Sequence, residues 1–317
     1  MRLRLLAGLI AAVLASAAVA DYPDRPVRFV VGFPPGGSDI SLRILTPKLS
    51  ELWGQPAVVD NRPGAAGNLG ADIVAKAAPD GYTVLLCVNS YAINTTVYRN
   101  LSWDLLRDFA PVGRYASSPM AVVVNDKVPA KNVAELIAFA KANPGKLNYG
   151  SAGSGTAPHL AAELFAIRTG VQMVHVPYKG SAPSVTALIA KEVDLSFGAL
   201  SAFEAFIKDG RARALAVTTA ERFSQLPSVP TLSEAGVPGF DVDIWYGLVV
   251  PAKTPAAVIK KISEDLKRVL SDPDTQAKLR QRGLDPAYLN SQQLGELMRR
   301  DVARWREVAN RIKLTLD

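Results

Sequence analysis

The sequence Arg28-Phe-Val-Val-Gly-Phe-Pro-Pro-Gly-Gly-Ser-Asp39 joins a strand pattern to a helix pattern through a tight turn. Its β-branched and aromatic residues predict a strand, and the Pro-Pro-Gly-Gly segment ends that strand. Ser38 or Asp39 suits the N-cap of the following helix, so backbone N–H groups should converge there. We interpret the turn as an anion-binding element. A strand-turn-helix connection without a ligand is the alternative that this stretch alone leaves open.

A second glycine turn of the same kind occurs later in the chain, in Gly150-Ser-Ala-Gly-Ser-Gly-Thr-Ala-Pro-His159. It follows a short strand pattern and precedes a helix pattern, as the first turn does. Several hydroxyl groups and free N–H groups would then lie at a helix start, which suits a carboxylate. The two turns together predict two facing walls of one ligand site.

Strand and helix patterns alternate along the chain, which predicts an α/β fold with a mostly parallel sheet. The length of 317 residues is enough for two lobes. We predict that residues 21–122 and 246–317 form lobe 1 and that residues 123–245 form lobe 2. The β-branched stretches 120–124 and 244–250 are the expected hinge strands between the lobes, with the ligand cleft between them.

The first twenty residues have the pattern of a secretory signal peptide. Arg2 and Arg4 form a basic start, residues 5–14 an apolar core, and Ala18-Val-Ala20 a small-residue cleavage site. The apolar core is shorter than the roughly 20 residues that a membrane-spanning helix needs. We therefore expect cleavage after Ala20 and export to the periplasm.

Charge and cysteine content argue against several functional classes. The chain has 36 Lys and Arg against 29 Asp and Glu, and two of the arginines fall in the leader. Basic residues are interleaved with acidic ones, so nucleic-acid binding is disfavoured. Cys87 is the single cysteine and lies in an apolar strand pattern, which favours core packing over chemistry. His159 and His175 are isolated in sequence, so we expect no metal site and no cofactor.

Motifs for dinucleotide binding and for hydrolysis are incomplete. Gly64, Gly67 and Gly70 do not have the Gly-x-Gly-x-x-Gly spacing, and we interpret them as a tight turn and close helix packing. Neither Ser151 nor Ser154 lies in Gly-x-Ser-x-Gly. A hydrolase that pairs one of these serines with His159 is kept as an alternative function.

Two further polar loops follow strand patterns and could border the site. Asn89 and Ser90 come directly after a buried strand, where ligand contact and helix capping are equally open interpretations. The loop His175-Val-Pro-Tyr-Lys-Gly-Ser-Ala-Pro183 offers Tyr178 as a flat wall and Lys179 and Ser181 as donors. An exposed, uninvolved lysine is the alternative for Lys179.

Several ordered motifs resemble one family over essentially the whole chain after the leader. They are Phe-Pro-Pro-Gly-Gly-Ser-Asp39, Asn-Arg-Pro-Gly-Ala-Ala-Gly-Asn-Leu-Gly70, Ala-Pro-Asp-Gly-Tyr-Thr83, Gly-Ser-Gly-Thr156 with His159, Val-Pro-Tyr-Lys-Gly180, Leu-Pro-Ser-Val-Pro-Thr231 and Glu234-Ala-Gly. The chain is similar in these motifs to the Bug-type substrate-binding proteins of tripartite tricarboxylate transporters. The resemblance implies a type II periplasmic binding-protein fold and capture of a small organic anion, which would be a mono-, di- or tricarboxylate, an acidic amino acid or an aromatic acid. It also implies delivery to a two-subunit membrane permease, and a sensor kinase is the alternative consumer.

The resemblance also implies which residues contact the ligand. One wall is expected at Phe33, Pro34, Gly36, Gly37 and Asp39, the facing wall at Ser151, Ser154, Gly155 and Thr156, and the rim at Asn89, Ser90, Tyr178, Lys179 and Ser181. No arginine occurs among these expected contact residues, so N–H and hydroxyl donors would hold the carboxylate. The Pro34-Pro35 pair differs from the pair that many family members have, and this position could tune ligand choice.

Overall fold

The structure is a computed structural model that describes residues 22–36 and 38–316. The predicted signal peptide, its cleavage site and Gly37 lie outside the described residues. The described strands are β1 (Val27–Val31), β2 (Ala57–Asn61), β3 (Thr83–Val88), β4 (Phe109–Asn125), β5 (Leu147–Ser151), β6 (Met173–Pro177), β7 (Leu195–Ala199), β8 (Ala212–Val217), β9 (Asp243–Pro251) and β10 (Asp285–Leu289). The described α-helices are α1 (Asp39–Trp53), α2 (Asn68–Ala75), α3 (Asn89–Val97), α4 (Val133–Ala142), α5 (Ala157–Thr169), α6 (Ser181–Ile189), α7 (Glu204–Lys208), α8 (Ala256–Leu270), α9 (Pro273–Arg280) and α10 (Ser291–Arg311).

The strands form one continuous sheet with two parts. Its order is β2-β1-β3-β9-β4-β7-β5-β6, and β8 and β10 also pair with β4. We call β2, β1, β3, β9, β10 and the first part of β4 the first half-sheet. The end of β4 with β7, β8, β5 and β6 is the second half-sheet. Helices cover both, so the fold is α/β as the sequence predicts.

The long strand β4 belongs to both half-sheets. Through Pro119 it pairs with β9 and β10, and from Met120 onward it pairs with β7 and β8. The chain returns near Val242, whose N–H donates to the Thr218 carbonyl oxygen at 2.8 Å just before β9 begins. We propose that these two crossings are the hinge, close to the lobe boundaries expected from the sequence.

The prediction of a mostly parallel sheet is wrong for the centre of the sheet. Parallel pairs occur at both flanks, between β1 and its neighbours β2 and β3 and between β5 and its neighbours β6 and β7. The central strands β3, β9, β4 and β7 pair antiparallel. The flanking strands are joined by crossover helices, whereas β4 carries the chain out of the first half-sheet and β9 carries it back.

The apolar side chains form two buried clusters. The larger contains residues of both half-sheets, among them Phe29, Tyr115 and Trp245, all of which are fully buried. The smaller one lies under α6 in the second half-sheet and contains Val123 and Leu188. Within the described range, no helix combines the length and the apolar character that crossing a bilayer requires.

The glycines at 64, 67 and 70 form a tight turn and a close packing contact, which confirms their interpretation from the sequence. Gly64 and Gly67 have φ angles of 152° and 93°, a region that residues with side chains rarely adopt. Gly70 lies on α2 where it meets the end of β1. A Cβ atom at Gly70 would lie 2.6 Å from the Cα of Gly32.

A Gly70→Ala substitution should therefore destabilise the protein by forcing α2 away from β1. Overpacking of this kind typically costs about 1–3 kcal/mol, and here the obstructing atom is backbone and cannot move aside. Chemical denaturation of the variant and the parent chain measures this difference. An unchanged midpoint would contradict the close contact between α2 and Gly32.

Candidate functional site

The turn after β1 is held in place by a buried carboxylate. Asp39, only 1% exposed, accepts a hydrogen bond from the Gly36 N–H at 2.9 Å and another from Arg43 Nε at 3.0 Å. Arg43 also donates to Asn61 Oδ1, and Asn61 Nδ2 donates to the Phe33 carbonyl oxygen. The Asp39 carboxylate therefore fixes the shape of the turn from inside.

The turn borders a cavity of about 520 Å³ that we call the cleft cavity. The first half-sheet contributes most of its wall, and α5 of the second contributes one residue. Its lining residues are Phe33, Pro34, Pro35, Gly36, Ser38, Val88, Asn89, Ser90, Ala157, Ile244 and Tyr246. Five residues expected from the sequence are thus brought together: Phe33, Pro34, Gly36, Asn89 and Ser90.

Three helices begin at the wall of the cleft cavity. They are α1, α3 and α5, and none of them has a hydrogen bond from a side-chain cap to its first-turn N–H groups. Among the other described α-helices, Asn132, Asp272 and Asn290 cap α4, α9 and α10 with their side chains, whereas α2, α6, α7 and α8 also lack a side-chain cap. Uncapped helix starts leave N–H donors and partial positive charge available to an anion.

Two hydroxyl groups at these helix starts have no hydrogen-bond partner in the part of the chain that the structure describes. The Ser38 and Ser90 Oγ atoms are buried, and neither has a hydrogen-bond partner among the described residues. A buried hydroxyl without a partner is costly, so such groups commonly have a ligand or water as their partner. Both residues line the cleft cavity, which makes them candidate donors to a bound anion.

Asn89 links the start of α3 to the strand β9. Its Nδ2 donates to the Asp243 carbonyl oxygen at 2.9 Å. Side chains alternate between the two faces of a strand. Ile244 and Tyr246 accordingly line the cleft cavity, and Asp243 points to the opposite face of β9.

The glycine turn of the second half-sheet directs most of its polar atoms inward. Ser151 has no exposed surface, and its Oγ lies 2.6 Å from His175 Nε2. Thr156 Oγ1 donates to the Gly153 carbonyl oxygen at 2.7 Å, and a Cβ at Gly155 would meet Leu316 Cδ1 at 2.7 Å. Ser154 is exposed. None of these residues lines the cleft cavity, so Ala157 is the contribution of this turn to it.

The third expected loop packs beside that turn and not on the cleft cavity. The N–H of Tyr178 donates to the Ser151 carbonyl oxygen at 3.0 Å, and the N–H of Gly180 donates to the Ala152 carbonyl oxygen at 3.1 Å. Lys179 and Ser181 are exposed. Ser181 borders a separate small gap next to α6. A rim role for this loop therefore stays a prediction.

The two histidines, which are isolated in sequence, are stacked in space. Their ring centroids are 3.9 Å apart, and Tyr149 stacks on His175 at 4.9 Å. The N–H of Gly155 donates to His159 Nδ1 at 3.1 Å. Ser151 thus pairs with His175 and not with His159, which contradicts the Ser151–His159 dyad, one of the two that the hydrolase alternative offered. No group of three or more His, Cys, Asp or Glu side chains in the described ranges could hold a metal.

Burial keeps both imidazoles neutral at physiological pH. It lowers the pKa of His159 to about 4, helped by the nearby His175, and lowers the pKa of His175 to about 4 as well. In the unfolded chain each imidazole binds a proton with a pKa near 6.5, whereas in the folded protein it does so only near pH 4. Because the unfolded state therefore binds more protons between these values, folding stability should fall as the pH drops from about 6.5 to 4. The more deeply buried His159 contributes up to about 3 kcal/mol to that loss, and the partly buried His175 contributes less because solvent screens its charge.

A His175→Gln variant should lose stability less steeply over this pH range than the parent chain. Urea denaturation of both proteins at pH 7 and pH 5 measures the difference. The carboxylates are common to both proteins, so their contribution to the pH dependence of stability cancels in the comparison. Equal losses in the two proteins would contradict the buried, neutral state of His175.

A second cavity of about 590 Å³ lies on the opposite face of β9, and we call it the rear cavity. In contrast to the cleft cavity, it is rich in charged side chains. Arg114 Nη1 lies 3.3 Å from Asp243 Oδ2, and Arg280 is among the other lining residues. Burial raises the pKa of Asp243 to about 6, and the positive charge of Arg114 opposes this shift.

Comparison with known proteins identifies the family. A family model described as "Tripartite tricarboxylate transporter family receptor" matches residues 41–314. The chain belongs to this family. The protein BugT of Bordetella pertussis is 33% identical to it over 314 residues, which are 96% of each chain. This similarity confirms the Bug type expected from the motifs.

Solved structures of related proteins have the same fold. The R. palustris protein Rpa4515, solved with adipate, is 37% identical with a TM-score of 0.78, over 91% of this chain and 97% of that one. MatC from Rhodopseudomonas palustris, solved with bound malate, is 29% identical with a TM-score of 0.74, over 90% and 99% of the two chains. The two-lobe periplasmic binding-protein fold is thereby confirmed for this chain.

Sequence reasoning missed six residues of the cleft cavity: Pro35, Ser38, Val88, Ala157, Ile244 and Tyr246. A signal for two of them was available. Ile244 and Tyr246 alternate with Asp243 and Trp245 in a strand pattern, which places the first pair on one face. Which face borders the cleft depends on pairing between distant strands, and no local pattern reports that.

Proposed function

We propose that this receptor binds a small organic carboxylate in the cleft cavity and delivers it to a two-subunit membrane permease. The observation that carries the proposal is the meeting of three uncapped helix starts at one cavity, where two buried hydroxyl groups have no hydrogen-bond partner among the described residues. Such a cluster can donate hydrogen bonds from N–H and O–H groups to a carboxylate, and the helix dipoles stabilise its negative charge.

The relatives support the chemical class of the ligand and the route of delivery. Rpa4515 was solved with adipate and MatC with malate, both of which are carboxylates. Membership in the transporter receptor family supports a permease as the consumer, in preference to a sensor kinase. Export with cleavage after Ala20 is part of the same proposal, because the receptor must meet its permease outside the cytoplasm.

A purely binding role, without catalysis, is also part of the proposal. Ser151 is buried and pairs with His175, and the nearest carboxylate to His159, at Glu163, lies 4.0 Å from its Nε2. That distance is too long for the hydrogen bond that orients the base in a catalytic triad. The family relatives are receptors, which agrees with this assignment.

Calorimetric titration of the ligand-stripped protein with a panel of carboxylic acids tests the proposal. At least one acid should bind at a single site, and a neutral amide of that acid should not bind detectably. If none of the acids bound a cooperatively folded sample, carboxylate binding would be refuted.

A further inference from the structure

The cleft cavity provides no charged side chain to a ligand. Among its described lining residues the only ionisable group is the Tyr246 hydroxyl. Burial raises its pKa to about 12, so it stays neutral. The carboxylate Asp39 is turned into the loop that it stabilises. Among the described lining residues, the positive field in the cleft therefore comes from helix starts, each of which amounts to about half an elementary charge.

A field of this size suits one buried carboxylate better than several. A second or third carboxylate drawn into the same space would lose its hydration without a basic side chain to replace it. The rear cavity shows that the chain does have clustered guanidinium groups, at Arg114, Arg222, Arg280 and Arg300. Those groups lie on the other face of β9 and do not face the cleft.

The remaining wall of the cleft cavity is apolar. Phe33 and the two prolines of the turn after β1 form one side of this apolar wall, and Ile244 and Tyr246 of β9 form another. A hydrocarbon body against such a wall gains about fourfold in affinity for each buried methylene group. A hydroxyl group there would lose its bonds to water and find few partners in exchange.

From these observations we infer that the receptor selects an acid with one anchored carboxylate and an unhydroxylated hydrocarbon body, and that Ile244 and Tyr246 of β9 carry this selection. The inference rests on the proposed function and sharpens it. It places the discrimination on the hinge strand, whose residues lay outside the site expected from the sequence. A hydroxylated or tricarboxylic acid is disfavoured by the same wall.

Matched acids test the inference directly. Adipate and galactarate have the same chain length and the same two carboxylates and differ only in four hydroxyl groups, whereas hexanoate lacks the second carboxylate of adipate. We expect adipate to bind at least tenfold more tightly than galactarate, with hexanoate within about tenfold of adipate. Galactarate or citrate binding as tightly as adipate would overturn the inference. So would adipate binding without any binding of hexanoate.

Substitutions at Ile244 locate the selection on the hinge strand. Ile244→Thr and Ile244→Val give side chains of the same shape and differ in one hydroxyl group. We expect Ile244→Thr to lower the affinity ratio of adipate to galactarate at least threefold relative to Ile244→Val. Ile259→Thr, at a partly buried position on α8, should leave the ratio unchanged and controls for general destabilisation.

The outcomes separate this inference from the proposed function. Equal ratios in the two Ile244 variants would refute a selective role for the hinge strand, while acid binding itself stayed intact. Failure of every acid to bind the parent protein would instead refute the proposed function. Thermal melting of each variant verifies that the comparison is made between folded proteins.

Discussion

A Ser90→Asp substitution should abolish carboxylate binding while the protein stays folded. The new carboxylate would lie at the start of α3, inside the cleft cavity and close to the starts of α1 and α5. Juxtaposed like charges cost several kcal/mol, so we expect affinity to fall about 100-fold or more. Folding should tolerate the change, because an acidic side chain is favourable in the first turn of a helix.

Calorimetric titration with the best-binding acid measures this loss. Gln292→Asp is a matched control, because Gln292 is the second residue of α10 as Ser90 is of α3, and it is exposed. That control should bind like the parent chain. Ser90→Ala should lose about 10- to 150-fold, since one hydrogen bond to a charged group is typically worth about 1.5–3 kcal/mol. Wild-type affinity in Ser90→Asp would show that the ligand binds elsewhere.

Asp39→Ala should also weaken binding strongly, but through the shape of the turn. The variant removes the acceptor of the Gly36 N–H and the partner of Arg43. Loss of a buried, hydrogen-bonded carboxylate typically destabilises a protein by about 1–3 kcal/mol, and the loosened turn should cost at least about tenfold in affinity.

The variant Asp39→Asn distinguishes this positioning role from direct contact with the ligand. Asparagine keeps an oxygen that can accept from the Gly36 N–H, so we expect affinity within about fivefold of the parent chain. A carboxylate that touched an anionic ligand would repel it, and Asp39→Asn would then bind more tightly than the parent. Titration of both variants, with urea denaturation to follow stability, decides between the two roles.

Local patterns and the family resemblance were sufficient for the fold class and for half of the cleft wall. The strand-turn-helix sequence patterns that begin near Arg28 and Gly150 predict β1 with α1 and β5 with α5, because each unit is specified by adjacent residues. Phe33 and Gly36 follow from the family resemblance, and Ser90 follows a buried strand pattern that left ligand contact and helix capping open. They lie at strand ends, where α/β sheets commonly bind ligands.

The missed features depend on long-range pairing. Local sequence predicts that Pro111 and Pro119 end a strand, but β4 continues through both. Next to Pro111 the pairing of β4 with β9 shifts register, and this irregularity accommodates the proline. β10 contains no β-branched residue and forms as an edge partner of β4. The stacking of His159 on His175 joins a helix to a neighbouring strand, and their spacing of sixteen positions in the sequence gives no hint of it.

The central claim is that the carboxylate binds where α1, α3 and α5 begin. A crystal structure of the protein with bound adipate tests it most directly. We expect a carboxylate oxygen within about 3.2 Å of Ser90 Oγ, with the hydrocarbon chain against Ile244 and Tyr246. Adipate bound instead in the rear cavity, beside Arg114 or Arg280, would contradict the account.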